Sequence, residues 1–66
     1  MDEAAVLARV DKVRAIADDD EAAHQLEDEL YIDVLTAIAK GACADPAACA
    51  RAALLVQEIQ FSRWYA

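Results

Sequence analysis

The sequence predicts an all-α fold: a compact single domain of three helices, spanning about residues 2–17, 20–40 and 45–60, with an aromatic C-terminal tail that packs back onto them. Two observations lead to this prediction. The 66 residues include one glycine, one proline and no asparagine, so the chain has almost no residues suited to the tight turns of β-hairpins. Apolar residues also recur at steps of three and four along three segments, each of which begins with acidic residues.

The first predicted helix begins with Asp2 and Glu3, whose charges complement the positive N-terminal end of a helix dipole. The segment is rich in Ala, Leu, Arg and Lys, which are good helix formers. Its apolar stripe consists of Val6, Val10, Val13 and Ala17. We therefore expect an amphipathic helix that buries this stripe.

The second predicted helix has a start signal in the acidic run 18–21, with Asp19 or Asp20 as the N-cap, and a stop signal in Gly41, a natural left-handed C-cap. Its apolar residues lie on more than one face. One stripe consists of Leu26, Leu30, Val34 and Ala37, and a second consists of Tyr31 and Leu35. A single partner helix could not cover both, so we expect residues 30–39 to be the buried centre of the fold or the contact between two copies.

The third predicted helix begins at Asp45-Pro46, an N-cap aspartate followed by proline in the first helical position. Its buried face is expected to contain Ala48, Ala52, Leu55 and Ile59, with Val56 at the edge. Three of the four aromatic residues follow in the last six positions, as Phe61, Trp64 and Tyr65. We expect this tail to close the core; an exposed aromatic anchor for a partner is the alternative.

Composition and charge exclude several classes of protein. Hydrophobic residues make up 59% of the chain, but 17 residues are alanine, so the core is thin. The net charge is −7, and the 11 acids among residues 1–33 disfavour contact with nucleic acid. No stretch resembles a membrane span, and the acidic N-terminus is unlike a signal peptide, so we expect a cytoplasmic protein without a membrane partner.

Cys43 and Cys49 are spaced C-x5-C, which is not a recognised zinc-binding spacing. Two cysteines are also too few for the disulfide framework of a small secreted domain. We expect two reduced, partly buried thiols that pack as small apolar residues. A disulfide between them is geometrically possible but disfavoured in a reducing cytosol.

No catalytic residue and no cofactor site is predicted, because the chain has no nucleophile in a recognised context and no glycine-rich loop. One cluster nevertheless combines carboxylates with the single histidine, and it consists of Glu21, His24, Glu27 and Asp28. At helical spacing these side chains could bind a divalent metal. The favoured interpretation is a structural polar network in which His24 bonds to Asp28 or Glu21.

Four segments of the sequence together form a pattern that other proteins share: DDEAAHQLEDEL (19–30), VLTAIAKG (34–41), CADPAACA (43–50) and FSRWYA (61–66). They resemble a group of short uncharacterised proteins from actinobacteriophages and from mycobacteria and their relatives. The resemblance covers roughly residues 15–66, although members of the group carry Asp at or near the position of Ser62. It implies a phage or prophage product that acts in an actinobacterial cytoplasm, and it implies no particular activity.

The leading functional prediction is a small non-enzymatic protein that binds a protein partner or a second copy of itself. The predicted contact surface comprises Tyr31, Leu35, Phe61, Trp64 and Tyr65. The sequence also leaves two alternatives. One is a metal-dependent nucleotide hydrolase that uses the acidic and histidine cluster, and the other is an acidic mimic of DNA.

Overall fold

The structure, a computed structural model, describes residues 1–63. Its α-helices are α1 (Glu3–Ala15), α2 (Asp20–Ala39) and α3 (Pro46–Leu54), and a short 3₁₀ helix, Leu55–Glu58, continues directly from α3. The described part of the chain contains no strand. The predicted all-α class with three helices is therefore confirmed, although each α-helix is shorter than predicted.

An aspartate side chain caps the start of each α-helix. Asp2, Asp19 and Asp45 each accept a hydrogen bond from the backbone N–H three residues later, at 2.9, 3.1 and 3.1 Å. Each bond satisfies one of the N–H groups that have no partner within the helix. The capping roles predicted for Asp45 and for one residue of the acidic run are confirmed, and in that run the cap is Asp19.

Gly41 terminates α2 in the predicted way, with a left-handed φ of 69°. The Ala42 N–H donates to the Ala37 carbonyl at 2.8 Å, and the Gly41 N–H donates to the Ile38 carbonyl at 3.1 Å. This pair of bonds is the Schellman arrangement, which satisfies the last carbonyls of a helix. The chain then turns towards α3.

The core lies between the three helices. Three residues of the predicted stripe are confirmed, because Val6, Val10 and Val13 are fully buried on α1, whereas Ala17 lies in the turn after α1 and is half-buried. The other buried apolar residues are Ala23, Leu30, Val34, Ala48, Cys49, Ala52, Ala53, Val56 and Ile59. Most of them are small, so the helices approach closely around a thin core.

Of the two alternatives for residues 30–39, the buried centre is wrong for part of the segment, and the contact between two copies stays a prediction. Leu30 and Val34 are buried, but Ile32 is 62% exposed and Leu35 is 66% exposed. The reason is that the side of α2 packed against α1 and α3 carries Leu30 and Val34, whereas Ile32 and Leu35 project away from that side.

The prediction of one helix over 45–60 is also wrong, because the α-helix ends at Leu54 and the chain tightens into the 3₁₀ helix. A 3₁₀ helix has three residues per turn. The buried positions accordingly become Ala53, Val56 and Ile59, at steps of three. Leu55, which was predicted to face the core, is instead 40% exposed.

The segment after the 3₁₀ helix returns to α2 through polar contacts. The Ser62 N–H donates to the Asp20 carboxylate at 2.9 Å. Phe61 is partly buried against the core, and the Arg63 guanidinium lies 3.8 Å from the centre of its ring. Phe61 packs without an aromatic neighbour among the described residues, so the predicted closure by an aromatic tail is not supported, and Trp64 and Tyr65 lie outside the described residues.

Candidate functional site

Two features could carry a function: an apolar groove between α2 and α3, and a polar cluster on α2. The groove has a volume of about 400 Å³. It is lined by Tyr31, Val34, Leu35, Ile38, Ala50, Ala53, Leu54 and Gln57. We call this surface the α2–α3 groove. None of its eight lining residues carries a charge at neutral pH, in a chain where 29% of residues are charged.

Two large aliphatic side chains of the groove face solvent. Leu35 on α2 is 66% exposed and Leu54 on α3 is 53% exposed. Ile32, one helical turn before Leu35, extends the apolar surface along α2. A single exposed leucine is common on protein surfaces, but several around one uncharged groove are typical of an interaction site.

Tyr31 links the groove to the polar contacts at the N-terminal side of α2, because it lines both the groove and a neighbouring cavity with Glu27, Gln57 and Arg63. Its hydroxyl is buried and makes no well-formed hydrogen bond. Burial raises the pKa of Tyr31 above 10.0, and the negative charge of Glu27 raises it further, while Arg63 acts in the opposite direction.

Glu27 and Arg63 form an ion pair that the sequence analysis missed. The Glu27 side chain is only 4% exposed, and both of its carboxylate oxygens accept from Nε of Arg63 at 3.0 Å. Arg63 also donates from Nη2 to the Val56 carbonyl at 2.8 Å. A sequence signal did exist: Glu27 lies on the same helical face as Ala23 and Leu30, and a carboxylate buried there requires a cationic partner.

The structure brings together three members of the predicted polar cluster. Ligand-type atoms of His24, Glu27 and Asp28 all lie within 4.8 Å of one another. His24 Nε2 is 3.5 Å from Asp28 Oδ2. Glu21 is outside this group of three, but it lines a small cavity of about 180 Å³ together with His24. A metal ion at this position would compete with Arg63 for Glu27, because Arg63 already contacts both carboxylate oxygens.

The predicted contact surface is brought together only in part. Tyr31 and Leu35 lie together in the groove, whereas Phe61 is not among the groove residues. Trp64 and Tyr65 lie outside the described residues. Leu54 was not among the predicted contact residues, because its location depends on how α3 packs beside α2.

No helix in the described part of the chain is long and apolar enough to cross a membrane. Comparison with known proteins found no matching family model, no similar curated protein and no similar solved structure. The resemblance to the actinobacteriophage proteins stays a prediction.

Proposed function

We propose that this chain is a small non-enzymatic module that associates with a second copy of itself through the α2–α3 groove. The observation that supports this most directly is the exposure of Leu35 and Leu54 around a groove lined without any charged residue. Removing both leucines from water would contribute roughly 25 cal/mol for each Å² of apolar surface buried.

The charge distribution allows a second copy as the occupant. Each copy carries a net charge of −7, and overall repulsion would oppose association. Most of the acids lie in residues 1–33, while the groove is formed by uncharged residues between Tyr31 and Gln57. Two copies that meet at this surface bring no pair of like charges into the centre of the contact, and salt screens the remaining charges over about 8 Å.

The shape of the surface also suits a symmetric pair. In a two-fold dimer the same patch contacts itself, so each copy must offer both a projection and a recess. Here the exposed Leu35 provides the projection, and the groove between α2 and α3 provides the recess. A stable contact buries about 800 Å² per partner, which is roughly a fifth of the 4314 Å² surface of one chain.

The experiment is size-exclusion chromatography with light scattering on the full chain and on two matched variants. We expect the wild-type chain to have the mass of a dimer and Leu35→Glu to have the mass of a monomer with unchanged helical circular dichroism. Leu7→Glu is the control, because Leu7 is an exposed leucine outside the groove, and this variant should remain dimeric. A wild-type chain that stays monomeric at every concentration would contradict the proposal.

A metal-dependent hydrolase is the second candidate, favoured by the proximity of His24, Glu27 and Asp28 and opposed by the Glu27–Arg63 ion pair. Thermal unfolding with and without Mg²⁺, Mn²⁺ or Zn²⁺ distinguishes the two roles. We expect no change in Tm. A rise in Tm that is lost in His24→Ala would instead favour a metal site.

A further inference from the structure

The connection between α2 and α3 holds two thiols in unusually close contact. Cys43 lies in the loop after α2 and is half-buried, and Cys49 lies in α3 and is fully buried. Their Sγ atoms are 2.7 Å apart and form a thiol–thiol hydrogen bond. Non-bonded carbon atoms in favourable contact are about 3.5–4.0 Å apart, and sulfur is a larger atom. The pair is thus closer to the bonded distance of about 2.05 Å than to an ordinary contact.

Backbone contacts keep Cys43 in this position. The residues on both sides of it bind the N-terminus: the Met1 ammonium group donates to the Ala42 carbonyl at 2.7 Å, and the Ala44 N–H donates to the Met1 carbonyl at 3.1 Å. Cys49 is fixed separately, because its N–H donates to the Asp45 carbonyl within the first turn of α3. The two sulfur atoms are therefore held close together by the contacts of the loop with Met1 and by the first turn of α3.

We propose that Cys43 and Cys49 are a modification site at which a small disulfide, of the class of oxidised glutathione, forms an intramolecular disulfide bond. The Cys43 thiolate attacks one sulfur of the small disulfide, forming a mixed disulfide and releasing one small thiolate. The Cys49 thiolate then attacks the Cys43 sulfur and releases the second small thiolate. The protein loses two thiol protons and two electrons, and the small disulfide gains those electrons.

The order of the two steps follows from the surroundings of each thiol. Cys43 is half-buried and lines an open cavity with Met1 and Gly41, so a small disulfide can reach it. Cys49 is buried, and its hydrogen bond with Cys43 raises its pKa to about 11. Once Cys43 has become part of the mixed disulfide, that hydrogen bond is lost and Cys49 is the adjacent attacking group.

The bond would connect the α2–α3 loop to α3 and, through the contacts of Met1, secure the beginning of α1. A disulfide that matches an existing geometry stabilises the fold mainly by restricting the unfolded chain. We therefore expect the oxidised chain to unfold at a higher temperature than the reduced chain. The bond is internal to one chain, so its formation does not depend on the proposed dimer.

The test is to equilibrate the full chain in buffers of increasing ratio of oxidised to reduced glutathione, to block free thiols with iodoacetamide under denaturing conditions, and to measure the intact mass. We expect one product that is lighter than the reduced chain by about 2 Da, with no alkyl group and no second chain attached. The variants Cys43→Ser and Cys49→Ser should instead carry a single glutathione or a single alkyl group.

Alkylation of both thiols after equilibration with oxidised glutathione would overturn the proposal, and so would products linked only between chains. The double variant Cys43→Ser/Cys49→Ser is the control for folding. It should keep its helical circular dichroism, and its Tm should not respond to the redox buffer, whereas the Tm of the wild-type chain should rise on oxidation.

Discussion

The environment of Glu27 depends on a distant part of the chain. Its carboxylate lies on the buried face of α2, where a charge without a partner is costly. Arg63 compensates for it from 36 residues away and also bonds to the Val56 carbonyl, which joins the end of the described chain to α2 and to the 3₁₀ helix. This ion pair joins the last described residues to α2, where aromatic packing was predicted.

Replacing Arg63 should therefore destabilise the fold substantially. We expect Arg63→Met to lower the free energy of unfolding by about 2–4 kcal/mol, because it leaves the Glu27 carboxylate buried without a cation. Urea unfolding measures this change. Arg51→Met, at an exposed arginine of α3, is the matched control and should change stability by less than about 0.5 kcal/mol.

The double variant Glu27→Met/Arg63→Met separates the ion pair from other effects of the substitution. Because it removes both charges together, the double variant should regain most of the free energy of unfolding that Arg63→Met loses. If the double variant is as unstable as Arg63→Met, the buried charge of Glu27 is not the cause.

Tyr31 should make stability depend on pH above 10. Its pKa is raised in the folded chain, so between 10.0 and the raised value the unfolded chain releases the phenol proton while the folded chain retains it. Tyr31 therefore makes its full contribution to the free energy of unfolding below pH 10, and this contribution is lost as the pH rises through the folded-state pKa. Tyr31→Phe should show a smaller loss of stability over this interval, measured as the shift of its urea midpoint relative to the wild-type chain.

At the scale of the elements, the helix starts and the end of α2 were predictable because their signals are local. An aspartate caps the helix that follows it by accepting a hydrogen bond from the backbone N–H three residues later. Gly41 ends α2 because its own backbone adopts a left-handed conformation. The end of α3 was not predictable in this way. The change to a 3₁₀ helix moves Val56 from the edge into the core and Leu55 out of it, where the chain packs against α1.

The C-terminal cap of α2 offers a direct test of this local control. Gly41→Ala should lower the free energy of unfolding by about 1–2 kcal/mol, since a Cβ atom disfavours a φ of 69°. No neighbouring atom lies within 4 Å of the new Cβ position, so the cost is conformational and not a clash. Asparagine tolerates a left-handed φ better than alanine does, so Gly41→Asn should lower the free energy of unfolding by less than Gly41→Ala in the same thermal or urea unfolding experiment.

The candidate site was less predictable than the helices for a similar reason. The sequence shows that α2 has two apolar stripes, but it does not show which stripe the other helices cover. The structure settles this, because Leu30 and Val34 are buried while Leu35 remains exposed beside Leu54 of α3. Tyr31 and Leu35 could be chosen from one helix, whereas Leu54 required knowledge of how two helices pack.

At the scale of the whole molecule, charge and apolar surface are separated. The acidic first half supplies the helix caps Asp2 and Asp19 and the Asp33 partner of Arg9, at 2.7 Å. The groove between α2 and α3 contains no charge, and it displays leucines that a thin alanine-rich core has not covered. This separation is the basis for the proposal that a second copy buries the exposed leucines of the α2–α3 groove.

The most direct test of that proposal is a filtered nuclear Overhauser experiment on a mixture of isotope-labelled and unlabelled chains. If two copies associate through the groove, contacts between chains should connect the methyl groups of Leu35 and Leu54 in one copy with Tyr31 and Ile38 in the other. The proposal is contradicted if no contacts between chains are seen at concentrations in the millimolar range, or if those contacts involve the exposed face of α1.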